Sequence, residues 1–197
     1  MIRLGVFYCL ESDLKREVDS IKTFFSSKNE ISKYLNHLSH STIYVFDIES
    51  NKINDVIFEF EDLQKSLIQL PSHINKWRVF ENDILTSLNT LCLEIELTNE
   101  LKVLQMNTVE YLCKFHLQNK NINFEGDLKF SNNKYGYPFV GNHWIPHITI
   151  GSINISKEKL LNYTKGLLTF PKEIKINNLG LYKIEGDSHQ LLKKIYF

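Results

Sequence analysis

Apolar positions along the chain fall into two spacings. Residues 2–10 form a continuous β-prone run ending in the polar Glu11-Ser12-Asp13, which predicts a first strand. Leu14, Val18, Ile21 and Phe24 or Phe25 then recur at helical spacing, with Ser12 or Asp13 placed to cap the helix. Asn29 weakly breaks the run, and Ile31, Tyr34, Leu35 and Leu38 predict a second short helix. His40-Ser41-Thr42-Ile43-Tyr44-Val45-Phe46 is β-branched and aromatic, the pattern of a buried strand. Ile53, Val56, Ile57, Phe60, Leu63, Leu67 and Leu70 make another helical stripe, stopped by Pro71.

Strands are predicted next over 77–80 and 91–97, the second alternating Leu91, Leu93, Ile95 and Leu97 against Cys92, Glu94 and Glu96. Thr98 opens a helix with Leu101, Leu104, Tyr111, Leu112 and Phe115 facing inward. A polar stretch over 118–142 carries Asn-Asn and Gly-Tyr-Pro turn signals and leads into a strand over 144–151. Ser156 caps a short helix ending near Gly166, and strand candidates at 174–184 and 191–197 are joined by Glu185-Gly186-Asp187. Strand–helix–strand blocks occur twice, about one per half. The expected class is therefore α+β with two similar lobes, the whole of 1–197 acting as one domain.

Composition narrows the function. Lys plus Arg and Asp plus Glu number 23 each, so no global basic field draws the chain to polyanions. Cys9, Cys92 and Cys113 are scattered and form no CxxC pair, which predicts reduced thiols and a cytoplasmic location. The N-terminal apolar run lacks a signal-cleavage pattern and is too short for a membrane span. Neither a P-loop, a GxGxxG nor a GxSxG elbow occurs.

The chemistry lies in two matched tripeptides. His40-Ser41-Thr42 and His147-Ile148-Thr149 each open a predicted strand, 107 positions apart (147 − 40). A period of two puts His40, Thr42 and Tyr44 on one face of the first, and His147, Thr149 and Gly151 on one face of the second. Two such strands facing each other would surround a phosphate with two imidazoles and two hydroxyls. An imidazole can accept or donate a proton near neutral pH, and hydroxyls can hold non-bridging oxygens. His37-Leu38-Ser39 also fits the tripeptide but sits before a strand rather than opening one. A zinc reading through His37/His40 or His143/His147 lacks a completing Cys or acidic set, so no metal and no cofactor are expected.

With the segments HSTIYVF and HWIPHITIG in view, the chain resembles the 2H phosphoesterases, whose hallmark is a pair of His-x-Thr/Ser motifs. Pro146 before the second histidine and the order of elements add to the resemblance. The resemblance implies two pseudo-symmetric lobes, with antiparallel sheets flanked by helices, around a central cleft. It further implies His40 and His147 as the catalytic pair and Thr42 and Thr149 as phosphate binders. The lead-in to the first motif is short, which keeps His37 as a rival to His40.

The function expected is a metal-independent phosphodiesterase acting on nucleotide or RNA 2′,3′-cyclic phosphates, or on 2′,5′-linked or cyclic oligonucleotides. The alternatives are a nucleotide- or RNA-end-binding module without turnover and a protein–protein adaptor. A monomer without membrane attachment is expected. Tyr44, Tyr137 and Trp144 are candidates for stacking on a base, with Tyr135 and Phe139 nearby and Lys134 either solvated or near a terminal phosphate. His73, His116 and His189 read as surface residues, and Cys92 and Cys113 as small core residues.

Overall fold

Alternation in the first strand sets the frame. In β1 (Ile2–Cys9), Leu4, Val6 and Tyr8 are at most 1% exposed and join the main core, while Arg3, Gly5, Phe7 and Cys9 take the other face. The computed structural model describes residues 1–117 and 124–197. After β1 come α1 (Ser12–Ser26), β2 (Ser32–Lys33), β3 (His40–Ile48) and α2 (Ile53–Leu63). Then follow β4 (Leu70–Phe80), β5 (Asn89–Ile95), α3 (Asn99–Leu112) and α4 (Gly126–Tyr135). The chain ends with β6 (His147–Ile153), α5 (Lys157–Tyr163), β7 (Lys172–Ile176), β8 (Asn178–Glu185) and β9 (Ser188–Tyr196).

All pairings are antiparallel, and the order is β7-β4-β5-β6-β3-β1-β8-β9, with β2 added on β6. The two expected sheets are thus four-stranded halves of one sheet, joined at the β3–β6 seam. The core-facing residues of α1, α2, α3 and α5 pack with the inward residues of every long strand. This leaves the opposite face of the sheet to the motifs.

The halves are not contiguous in sequence, as two lobes built from successive blocks would be. The predicted strand over 174–184 is split at Asn177: β7 pairs with β4, but β8 crosses to β1. A flat sheet would set β7 and β8 six strand spacings apart, roughly 29 Å, which one residue cannot span. The sheet therefore curls until the end of β7 meets the start of β8. Tyr8 Oη donates to the Lys175 carbonyl at 3.0 Å and Asn178 Nδ2 to the Cys9 carbonyl at 3.2 Å, tying that closure.

Other departures have local causes. The helix expected over Ile31–Leu38 does not form, because Asn29 and Tyr34 adopt positive φ (53° and 70°) and Ile31 is exposed. Lys22 Nζ instead donates to the carbonyls of Tyr34 and His37, fixing a non-helical loop. The cap of α1 is Glu11, without a side-chain bond, rather than Ser12 or Asp13. Pro71 lies inside β4 at a level where β5 is not yet paired, so its missing N–H costs no bond on that side. Within the polar stretch, α4 buries Ser131 and Asn132 rather than an apolar stripe. Residues 118–123 of that stretch lie outside the described residues. Thr98 and Ser156 cap α3 and α5 as expected, accepting from the amides of Leu101 and Lys159.

One buried polar side chain spans the parts that position the motifs. Gln105 of α3 is fully buried; its Nε2 donates to the carbonyls of Ile43 and Phe139, and its Oε1 accepts from the Gly141 amide. Gln105→Leu is expected to lower stability by about 1–3 kcal/mol through the orphaned groups, read as a lower urea midpoint at unchanged slope. Ser41→Ala should leave stability unchanged or raise it, since the buried Ser41 hydroxyl has no partner among the described residues.

Candidate active site

The seam consists of a single matched pair, Ser41 against Ile148. Their side chains are buried toward the core (1% and 0% exposed). In an antiparallel pair, the residues flanking this match are His40 opposite Thr149 and Thr42 opposite His147. All four are partly exposed and alternate with the buried pair, so they share the open face. A local two-fold axis through the seam exchanges His40 with His147 and Thr42 with Thr149.

The symmetry extends to the neighbours. Against β1, β3 carries an extra residue at Ile43, between partners Thr42 and Tyr44. Against β5, β6 carries an extra residue at Ile150, between Thr149 and Gly151. Both strands thus bulge immediately after the motif, which adds local twist and resets the alternation.

Each imidazole is held in the same way. His40 Nδ1 bonds the Leu38 carbonyl at 2.7 Å and His147 Nδ1 bonds the Ile145 carbonyl at 2.6 Å. A carbonyl only accepts, so Nδ1 carries the proton in both rings and a neutral imidazole keeps its lone pair on Nε2. A phenyl ring backs each one. Phe7 stacks on His40 at 3.8 Å and 25°, and Phe80 meets His147 edge-on at 5.2 Å.

Charge surrounds the two rings differently. Burial pushes the His40 pKa down to about 3; the bond to Leu38 opposes this, while His189, Lys22 and His37 add to it. His147 is also lowered, chiefly by burial, with Asp83 and Glu94 acting to raise it and Arg78 to lower it. Glu94 is the register partner of His147 and ion-pairs with Lys76 and with Arg78 Nε. Arg78 also lies over the Phe80 ring at 5.5 Å.

Three expected stacking residues are not on this face. The bulge at Ile43 turns Tyr44 to the core, where it is fully buried, stacks on Phe46 at 4.6 Å and donates its hydroxyl to the Tyr135 carbonyl. Val45 takes the open face in its place, beside Phe7, Cys9 and Tyr182. Trp144 is 3% exposed, and its Nε1 donates to the Thr42 carbonyl at 3.0 Å, so it braces one motif from the other. Tyr137 packs on the core edge-on to Tyr44 and Phe139. Lys134 is exposed at the end of α4, over Tyr135.

His189 corrects the reading in the other direction. It is not a remote surface residue: its ring lies 5.4 Å from His40, 5.6 Å from Phe7 and 5.0 Å from His37. His37, the rival to His40, is instead tied through Nε2 to Asp187 at 2.8 Å. Of the cysteines, Cys9 and Cys92 are buried and Cys113 is half-buried, all free. Among the described residues no group of three His, Cys, Asp or Glu side chains could hold a metal ion, and no helix is long and apolar enough to cross a membrane.

No family model and no curated protein matches the chain, but solved structures do. TT0787 of Thermus thermophilus superposes with a TM-score of 0.68 at 13% identity, covering 99% of this chain and 97% of that one. A structure described as a phosphoesterase gives 0.59 at 11% identity over 100% and 98%. Escherichia coli LigT complexed with phosphate gives 0.58 at 12% identity over 99% and 96%. At these identities the likeness shows a shared fold.

The depressed histidines tie stability to pH. Unfolded, an imidazole binds a proton near pH 6.5, whereas folded His40 does so at about 3. Between those values the unfolded chain holds more protons, so stability present at pH 7 is lost as pH falls from about 6.5 toward 3. The expected loss is at most about 1.4 kcal/mol per pH unit per histidine. Urea titrations at pH 7, 6 and 5 should show it, and His40→Asn should make the slope shallower.

Proposed function

We propose that this chain is a metal-independent phosphodiesterase in which His40 and His147 act as a general acid/base pair and Thr42 and Thr149 bind the phosphate. The observation that carries this reading is the two-fold arrangement of His and Thr about the Ser41–Ile148 match, with both imidazoles locked by backbone carbonyls. A phosphodiester seated over the seam meets one Nε2 on each side and a hydroxyl beside each. One imidazole removes a proton from the attacking oxygen, and the other, protonated, delivers one to the departing oxygen. The hydroxyls donate to the non-bridging oxygens, whose negative charge grows in the transition state. The substrates of this reading are nucleotide or RNA 2′,3′-cyclic phosphates and 2′,5′-linked or cyclic oligonucleotides. It takes 1–197 as one working unit, a cytoplasmic monomer. The nucleotide complexes solved for E. coli LigT, with 3′-AMP and with ATP, support looking for ligands of this class.

Incubation with a panel of these compounds in EDTA should yield product. His40→Ala and His147→Ala should each lower the rate by about 10²–10⁴-fold, and Thr149→Val by about 10²–10³-fold. Ligand affinity with no product over long incubation would leave only a binding module. Full activity in both histidine variants ends the proposal.

A further inference from the structure

The His40 half of the open face carries basic groups that the acid/base step does not use. Phe7, Cys9 and Tyr182, with Leu38, Val45 and Ile184 packed on them, make an apolar floor beside the seam. Imidazoles gather at its edge. His189 of β9, the register partner of Ile184, lies ring to ring 5.4 Å from His40 and 5.0 Å from His37. Lys22 of α1, 4% exposed, adds an ammonium whose Nζ is fixed by the carbonyls of Tyr34 and His37. Asp187, in the β8–β9 turn, brings a carboxylate, but it is solvent-exposed and already taken by His37 Nε2 at 2.8 Å. The other half is balanced, since Glu94 and Asp83 face His147 alongside Arg78.

His189 is the group least provided for. Its Nδ1 is buried with no hydrogen-bond partner among the described residues. Burial and then His37 push its pKa below the usual imidazole value, with Lys22 adding to this and Asp187 opposing it. Such a ring is costly to place beside two others, and a bound anion relieves the cost by giving it both a hydrogen-bond acceptor and a counter-charge.

We propose that His189 is the contact residue of a second anion subsite, which takes a phosphate monoester carried by the substrate on the β1–β8–β9 side of the seam. This rests on the phosphodiesterase reading above, which seats the scissile phosphate between His40 and His147. A diester brings a single negative charge, whereas a monoester brings about −1.5 to −2 at pH 7 and several strong acceptor oxygens. In a nucleotide the two phosphates are separated by a ribose, which lies over the apolar floor. His189 donates an N–H to the monoester, while Lys22 and His37 supply charge from behind it. The His37–Asp187 pair fastens the loop before β3 to the β8–β9 turn and so fixes the wall on which His189 stands. The favoured substrates are nucleotides phosphorylated at that end, such as a 2′,3′-cyclic phosphate with a 5′-phosphate, over their unphosphorylated counterparts.

The test is a calorimetric titration of the protein with 3′-AMP and with adenosine 3′,5′-bisphosphate, which differ only in the second monoester. The bisphosphate should bind about 10–100-fold more tightly. His189→Ala should bring the two affinities to within about threefold of each other while leaving that for 3′-AMP in place, and His189→Lys should restore the preference. No preference in the unmodified protein, or a preference that His189→Ala leaves intact, overturns the subsite. Equal weakening of both ligands in His189→Ala marks a ring that only supports His40, and overturns it too. Binding of neither nucleotide ends the subsite and the nucleotide reading of the seam together. Turnover separates the two claims. Diester cleavage without a bisphosphate preference removes the subsite alone, whereas a preference abolished by His189→Ala in a protein that cleaves no diester upholds the subsite and counts against the phosphodiesterase.

Discussion

The site depends on a strand pair that is almost not a pair. β3 and β6 match at Ser41 and Ile148 and then part, so two four-stranded halves are hinged along one residue of contact. A fully zipped antiparallel pair would hold facing Cα atoms about 4.5–5.5 Å apart, leaving little room between His40 and Thr149 for a ligand. The short match keeps the two motifs adjacent while letting the strands splay. Because so few backbone bonds hold this seam, side chains reinforce it. Trp144 reaches the Thr42 carbonyl, and Gln105 ties the bulge after the first motif to the segment before the second.

Neutral imidazoles are costly to orient in a hydrophobic setting unless one nitrogen is satisfied. Here the carbonyl two residues before each histidine does that, so both rings are aimed by their own backbone. The face beneath them is shaped by glycines. A Cβ on Gly5 would stand 2.3 Å from the Phe7 ring, and one on Gly180 would stand 2.5 Å from the Tyr182 ring and 2.9 Å from Cys9 Sγ. Without them neither ring could lie down on the sheet, and Phe7 would not stack under His40.

Much of this was legible in the sequence. The two His-x-Thr strands, the helical stripes of α1, α2 and α3 and the α+β class follow from periodicity, because burial on one face enforces it. The structure brings the four motif residues together as the pattern expected. What periodicity hid came from bulges and from distant pairing. An alternation of two extrapolates Tyr44 onto the motif face, but one extra residue at Ile43 reverses it. His189 and Asp83 have no local signature at all, since they meet the motif histidines only through the curl of the sheet and a loop. Gln105 went unread because a polar residue on the inner stripe of a helix looks like an interruption, and α4 because its buried side is Ser131 and Asn132.

The difference between the halves comes from topology as much as from substitution. β9 and β7 hold equivalent outer places, fourth from the seam on either side. β9 runs nine residues along β8 to its turn, and this length carries His189 up beside His40. β7 has five residues and pairs with Leu70–Ile74, so among the described residues β4 has no outer strand beside it where Arg78 and Phe80 stand. The His40 side is thereby closed by a third imidazole, and the His147 side stays open at a sheet edge bearing a guanidinium and a phenyl ring. Opposite the histidines, Cys9 on one side answers to Glu94 on the other. A scaffold that repeats its motif can still set the two copies in unlike surroundings, because the strands that flank the repeat do not repeat.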